Sequence, residues 1–136
     1  MSFNAYLSFN GDCAEAFRYY EKHLGGKIDA LITHRESPAA AQTPPDWQDK
    51  IIHASMSLNG TMLMGGDAPP QMYQPLAGFS VNIVLPTPED AERVFKALSD
   101  GGKVNMPMAE TFWAQRFGMA TDRFGVPWMV NCFKPM

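Results

Sequence analysis

The stretch YLSFNGDCAEAFRYYEKHLGG, residues 6–26, decides the reading of the fold. Asp12 stands where a helix N-cap belongs, and Glu15 three residues on supplies the other half of a capping box. Cys13, Ala16, Phe17, Tyr20 and Leu24 then recur on one helical face, while Arg18, Glu21 and Lys22 fall on the other. Gly25-Gly26 ends the helix, because glycine takes the left-handed conformation without a Cβ clash. Just upstream, residues 3–9 alternate Phe3, Ala5, Leu7 and Phe9 with Asn4, Tyr6 and Ser8, the period of a strand with one apolar and one polar face.

The same pattern returns later. Residues 78–85, GFSVNIVL, alternate as a strand, and Thr87 caps a second helix with Pro88 at its first position and Asp90 in its first turn. Ala91, Val94, Phe95 and Leu98 form its stripe, and Gly101-Gly102 closes it. At an offset of 78 residues Cys13 falls on Ala91, Ala16 on Val94, Phe17 on Phe95 and Tyr20 on Leu98. An internal duplication explains this economically. Strands are expected at 27–34 and 51–58, with Asn59-Gly60 as a type I′ hairpin turn into TMLM. In the second half VNMPMAETFW, QRFGMAT and VPWMVNCF read as strands, the last two joined by a turn at Asp122–Gly125. The expected class is α+β: two βαβββ modules, 1–66 and 78–136, form one domain with linker loop 67–77. They curve a mixed sheet around a cleft with the helices outside. Residues 35–50 and 66–77 are rich in Pro and Ala and read as loops.

Composition narrows the function classes. The 136 residues are 46% apolar and carry a net charge of −3, with no polybasic run, so nucleic acid is not an expected partner. No apolar stretch nears the ~20 residues that span a bilayer, and MSFNAYLSFNGD lacks the regions of a signal peptide. Neither a membrane nor export is expected. Two cysteines, Cys13 and Cys132, are too few for a disulfide scaffold, which points to the cytoplasm. Ten methionines suit an adaptable apolar interior or pocket lining.

The first motif, together with ETFWAQRFGMATDRFGVPWMVN at 110–131, resembles the PhnB-like family of the glyoxalase/bleomycin-resistance/dioxygenase (vicinal oxygen chelate) superfamily. The resemblance implies paired βαβββ modules, a homodimer and a small-molecule cavity inside the curved sheet. Members of this branch carry the label 3-demethylubiquinone methyltransferase, yet no GxG loop leads here from a strand into a helix, as a methyl-donor nucleotide fold would need. Metalloenzymes of the superfamily hold a divalent ion with His, Gln or Glu from four strands. The matching positions here are Asn4 or Ala5, Met64-Gly65, Ser80 or Phe79, and Met129 or Asn131. None offers imidazole or carboxylate, so no cofactor and no metal ligand are expected, with a divalent metal as the runner-up.

Candidate residues follow from strand alternation. Tyr6, Ser8, His53, Ser80, Asn82, Trp113, Phe117, Met129 and Asn131 are expected to line the ligand cavity, as polar, aromatic or soft groups on the cleft-facing strand faces. Trp128 fits the helix-facing core. His53 reads as a general base, a lone metal ligand or a hydrogen-bonded rim histidine. Glu110 reads either as an acid whose pKa an apolar neighbour raises, or as a dimer-interface or turn carboxylate paired with Arg116 or Arg123. Asp67 reads as a cleft-mouth carboxylate or a turn residue. The expected function is therefore metal-free binding of a small, mostly apolar, partly planar molecule. The alternative is a metal-dependent glyoxalase- or dioxygenase-type enzyme with atypical ligands drawn from His53, Glu110 and Asp67. A metal-free enzyme using His53 or Glu110 as acid–base is a third reading.

Overall fold

A computed structural model describes residues 1–135; Met136, the last residue of the second expected module, lies outside the described residues. The chain divides into two compact units, Met1–Gln74 and a second that begins at Pro75. In the first, β1 (Ala5–Phe9), α1 (Cys13–Leu24), β2 (Lys27–Thr33), β3 (Ile51–Leu58) and β4 (Thr61–Asp67) follow in order. The second repeats the succession with β5 (Val81–Val84), α2 (Pro88–Ser99), β6 (Lys103–Ala109), β7 (Ala114–Thr121) and β8 (Pro127–Phe133). The fold is α+β, a βαβββ module twice over. Among the described residues eight strands form two four-stranded sheets, β1-β4-β3-β2 and β5-β8-β7-β6. In each, the first and last strands pair in parallel and the rest antiparallel, so both sheets are mixed and open-edged.

The duplicated stripe is the core of each unit. Cys13, Ala16, Phe17 and Tyr20 are buried on α1, and Ala91, Val94, Phe95 and Leu98 on α2. Each large side chain among them contributes about 1.5–3 kcal/mol by leaving water. Glycine lets the helices sit close. A Cβ on Gly118 of β7 would stand 2.8 Å from Phe95 Cε1, and one on Gly65 of β4 would stand 3.0 Å from Phe17 Cε1. These contacts fix which face of each sheet the helix covers. By strand alternation the neighbours Phe117 and Met119, and likewise Met64, lie on the other face.

Several local expectations meet their structures directly. Thr87 Oγ1 accepts from Asp90 N at 3.1 Å as the cap of α2. Asn59 and Gly60 take positive φ, 49° and 78°, in the β3–β4 hairpin. Other expectations are corrected. The strand expected over 78–85 forms only over Val81–Val84, because Gly78 turns the chain with φ 79° and the β8 ladder begins at Val81 opposite Trp128. The β2 strand stops at Thr33, whose N–H and hydroxyl both donate to the Glu36 carboxylate.

The capping box is replaced. Asp12 makes no side-chain cap hydrogen bond. Asp67 takes that place: it lies opposite Phe9 in the β1–β4 ladder, and its Oδ1 accepts from Gly11 N at 2.9 Å and Cys13 N at 3.0 Å. Its Oδ2 accepts from Ile51 N at 2.8 Å. A buried carboxylate thus joins the start of α1, the start of β3 and the end of β4, and neither sequence reading of Asp67 describes it. Asp122 does comparable work in the second unit. Its Oδ1 accepts from Phe124 N and Val126 N at 2.9 Å, and its Oδ2 from Trp128 Nε1 at 2.9 Å, which anchors the buried indole.

Replacing Asp67 with Ala strands buried donors, each costing about 1–3 kcal/mol. Urea unfolding of Asp67→Ala is therefore expected to show a loss of about 3 kcal/mol or more. A loss below about 1 kcal/mol would contradict this role for the carboxylate.

Candidate functional site

Each unit has a sheet face that its own helix leaves uncovered. In the first unit, ladder register sets Tyr6, Met64 and Ser55 in one row across β1, β4 and β3. Ser8 lies beside Gly66 on the same face. The Tyr6 phenol leans over that glycine, where a Cβ would stand 2.6 Å from the oxygen, and donates weakly to Ile52 O at 3.5 Å. Burial pushes the Tyr6 pKa up, with Cys13 and Asp67 adding to the effect, so the phenol stays neutral near neutral pH. His53 is half-buried on β3, across from Ile32 of β2. The structure brings no carboxylate to this row.

The second unit has the richer face. Two rows cross it. Asn82 of β5 lies opposite Met129 of β8, which lies opposite Met119 of β7, which pairs with Met106 of β6. Beside that row run Val84, Asn131, Phe117 and Ala109. Trp113, just before β7, folds over the second row. Its ring meets Phe117 edge-on at 5.2 Å and Phe112 at 4.7 Å. Its Nε1 donates to Asn131 Oδ1 at 3.1 Å, and Asn131 Nδ2 donates to Asn82 Oδ1. Asn131 is almost fully buried, at 3% exposure, and it is satisfied from both ends. Trp113 itself keeps 38% exposure.

Of the nine expected lining residues, Asn82, Trp113, Phe117, Met129 and Asn131 therefore form one cluster in the second unit. Tyr6 and Ser8 share a face of the first unit. Ser80 lies outside β5 and joins neither row. Met106 and Met119 were absent from that expected lining; the Asp122–Gly125 turn sets the β7–β8 register that carries Met119 opposite Met129. Trp128 is core, as its helix-facing parity indicates.

Glu110 is a paired carboxylate, but its partner is neither of the arginines expected from the sequence. It pairs with Lys134 at 2.9 Å, whereas Arg116 pairs with Glu92 at 3.2 Å and Arg123 with Asp100 at 3.3 Å. The Lys134 hydrogen bond and charge, with a smaller effect from Arg116, hold its carboxyl below the usual range, opposite to what a general acid near neutrality needs. The Cys13 thiol is pushed far up by burial and by the charges of Asp67 and Asp12, so it is a packing group.

The strands that correspond to metal-bearing ones offer poor donors. Asn4 bonds to Ser2, Met64 and Met129 supply thioethers, and the oxygen of Asn131 is committed to Trp113. Among the described residues no three of His, Cys, Asp and Glu gather as a metal cage would require. This donor set does not fit a hard divalent cation.

The model of the Glyoxalase/Bleomycin resistance protein/Dioxygenase superfamily matches residues 2–130. The chain belongs to that superfamily. Protein YjdN of Escherichia coli K12 is 37% identical over 142 residues, covering 98% of this chain and 97% of its own length. The crystal structure of PA1353 from Pseudomonas aeruginosa is similar at a TM-score of 0.90, with 45% identity over 99% of both chains. A second structure from Bacillus cereus, described as a PhnB protein and putative 3-demethylubiquinone-9 3-methyltransferase, shares the superfamily fold. Its TM-score is 0.77, with 24% identity over 97% of this chain and 99% of that one.

The Glu110 pairing has a measurable sign. Its folded pKa is depressed, so any stability it contributes is present above the unfolded carboxylate value and is lost as pH falls through the folded value. Carboxyl 13C titration is expected to place Glu110 below the usual glutamate range, and Lys134→Ala to return it upward. A Glu110 midpoint above about 5 would restore the general-acid reading.

Proposed function

We propose that this member of the superfamily is a small-molecule binding protein of the PhnB-like type, working without a resident catalytic metal. The observation that carries the reading is the Trp113–Asn131–Asn82 cluster on the face that α2 leaves open. A half-exposed indole, an edge-on Phe117 and a row of methionines make an adaptable apolar floor with fixed polar groups at its edge, the usual composition of a ligand site. Among the described residues, none on this face presents a nucleophile with a base beside it, as covalent catalysis needs.

Two further readings accompany this one. The protein acts as a homodimer, a proposal that the strongly exposed Phe112 and the half-exposed Val84 and Phe133 support as apolar surface in need of cover. It works in the cytoplasm, which its two buried, unpaired cysteines favour. No helix among the described residues is long and apolar enough to cross a membrane.

The test uses protein purified without chelator. Elemental analysis comes first, then thermal shift with divalent ions and with neutral bicyclic aromatics. At about 100 times Kd a ligand adds roughly 2.7 kcal/mol, so a saturating aromatic is expected to raise Tm by several degrees. Trp113→Ala is expected to abolish that shift. Stoichiometric bound metal, or turnover that depends on an added divalent ion, would overturn the metal-free reading. A homodimer is expected by light scattering, and a monomer at micromolar concentration would remove that part.

A further inference from the structure

The hydrogen bonds on the second unit's open face run in one direction only, and the direction is forced. An indole N–H can donate and cannot accept. Trp113 Nε1 bonds to Asn131, so the Asn131 atom it meets must be the oxygen. That orientation turns the Asn131 nitrogen toward Asn82, and the Asn82 atom that receives it must again be oxygen. The Asn82 nitrogen is thereby left at the exposed outer end of the chain, and among the described residues it has no hydrogen-bond acceptor. The usual ambiguity of amide orientation is removed here, because the first member of the relay has one option.

We infer that this relay selects the ligand class: a neutral, planar molecule that carries a hydrogen-bond acceptor such as a carbonyl on its edge. The inference rests on the binding reading above and adds the chemistry of what is bound. Asn82 ends the row that continues through Met129, Met119 and Met106. A flat molecule lying along the thioethers would meet the Asn82 donors at its rim and the Trp113 and Phe117 rings at its side. The two rows carry no Lys, Arg, Asp or Glu, so a charged ligand would lose its hydration on this face without gaining a counter-charge. A ligand whose edge offers only a donor would face the Asn82 donors and gain no hydrogen bond there.

Coumarin and indole separate these cases, being neutral planar bicycles of similar size. Coumarin carries a carbonyl acceptor and no donor, and indole carries an N–H donor and no oxygen or nitrogen acceptor in its plane. Titrations of the full chain followed by 1H–15N NMR are expected to show coumarin bound about fivefold more tightly than indole, the worth of one neutral hydrogen bond. The Asn82 side-chain amide and the Trp113 indole N–H are expected to shift. Asn82→Asp keeps an oxygen for the Asn131 nitrogen and replaces the outer donors with an acceptor, so the preference is expected to invert toward indole. Asn82→Ala removes the donors alone, and the two probes are expected to bind equally. Equal binding to the unmodified protein, or a preference unchanged in Asn82→Asp, would overturn the selection while leaving the binding site in place. Shifts of neither probe at Trp113 or Asn82 would overturn the binding reading itself.

Discussion

One twelve-residue helix can cover one face of a four-stranded sheet and no more, and this chain builds that unit twice. The helix lies flush because glycines at 65 and 118 let Phe17 and Phe95 approach the strand backbone. Once the helix has taken that face, strand alternation delivers every second side chain to the opposite one. The composition of the second face then becomes the chemical content of the protein. In the first unit it is mainly polar, with Tyr6, Ser8 and Ser55 beside Met64. In the second it is soft and aromatic, with methionines, Phe117 and Trp113.

The buried carboxylates show how the units hold their open faces steady. Asp67 and Asp122 sit where strands meet turns, and each satisfies N–H groups that would otherwise be stranded under the helix or the turn. Both are acids used as structural acceptors. The carboxylates that would serve a metal or a proton transfer are thus occupied elsewhere: Asp67 by backbone, Glu110 by Lys134. What remains on the open faces is amide, hydroxyl, thioether and ring, together with the His53 imidazole of the first unit.

Much of this was legible in the sequence, for particular physical reasons. The helix stripes repeat at fixed spacing, so Phe17 and Phe95 match by sequence alone. The Asn59-Gly60 turn needs positive φ at both residues and therefore fixed its hairpin. Parity along β8 put Trp128 in the core and Met129 and Asn131 opposite. Other features depend on contacts between distant segments, which periodicity does not encode. Asp67 reaches the start of α1 only because β4 pairs in parallel with β1. The Asn82–Asn131 bond likewise needs the β5–β8 register, across 49 residues of chain. The partner of Glu110 was not legible because Lys134 is far along the sequence, while Arg116 and Arg123 are near.

The central claim is that the methionine-floored face of the second unit, and not the helix-covered one, receives the ligand. Methyl-13C methionine spectra during titration with a neutral aromatic test it directly, since these methyls report local ring currents. The account predicts shifts at Met106, Met119 and Met129, with Met108, which lies against Gly118 on the helix side, left nearly still. Shifts centred on Met108, or none among the three methionines while the ligand is bound, would contradict it.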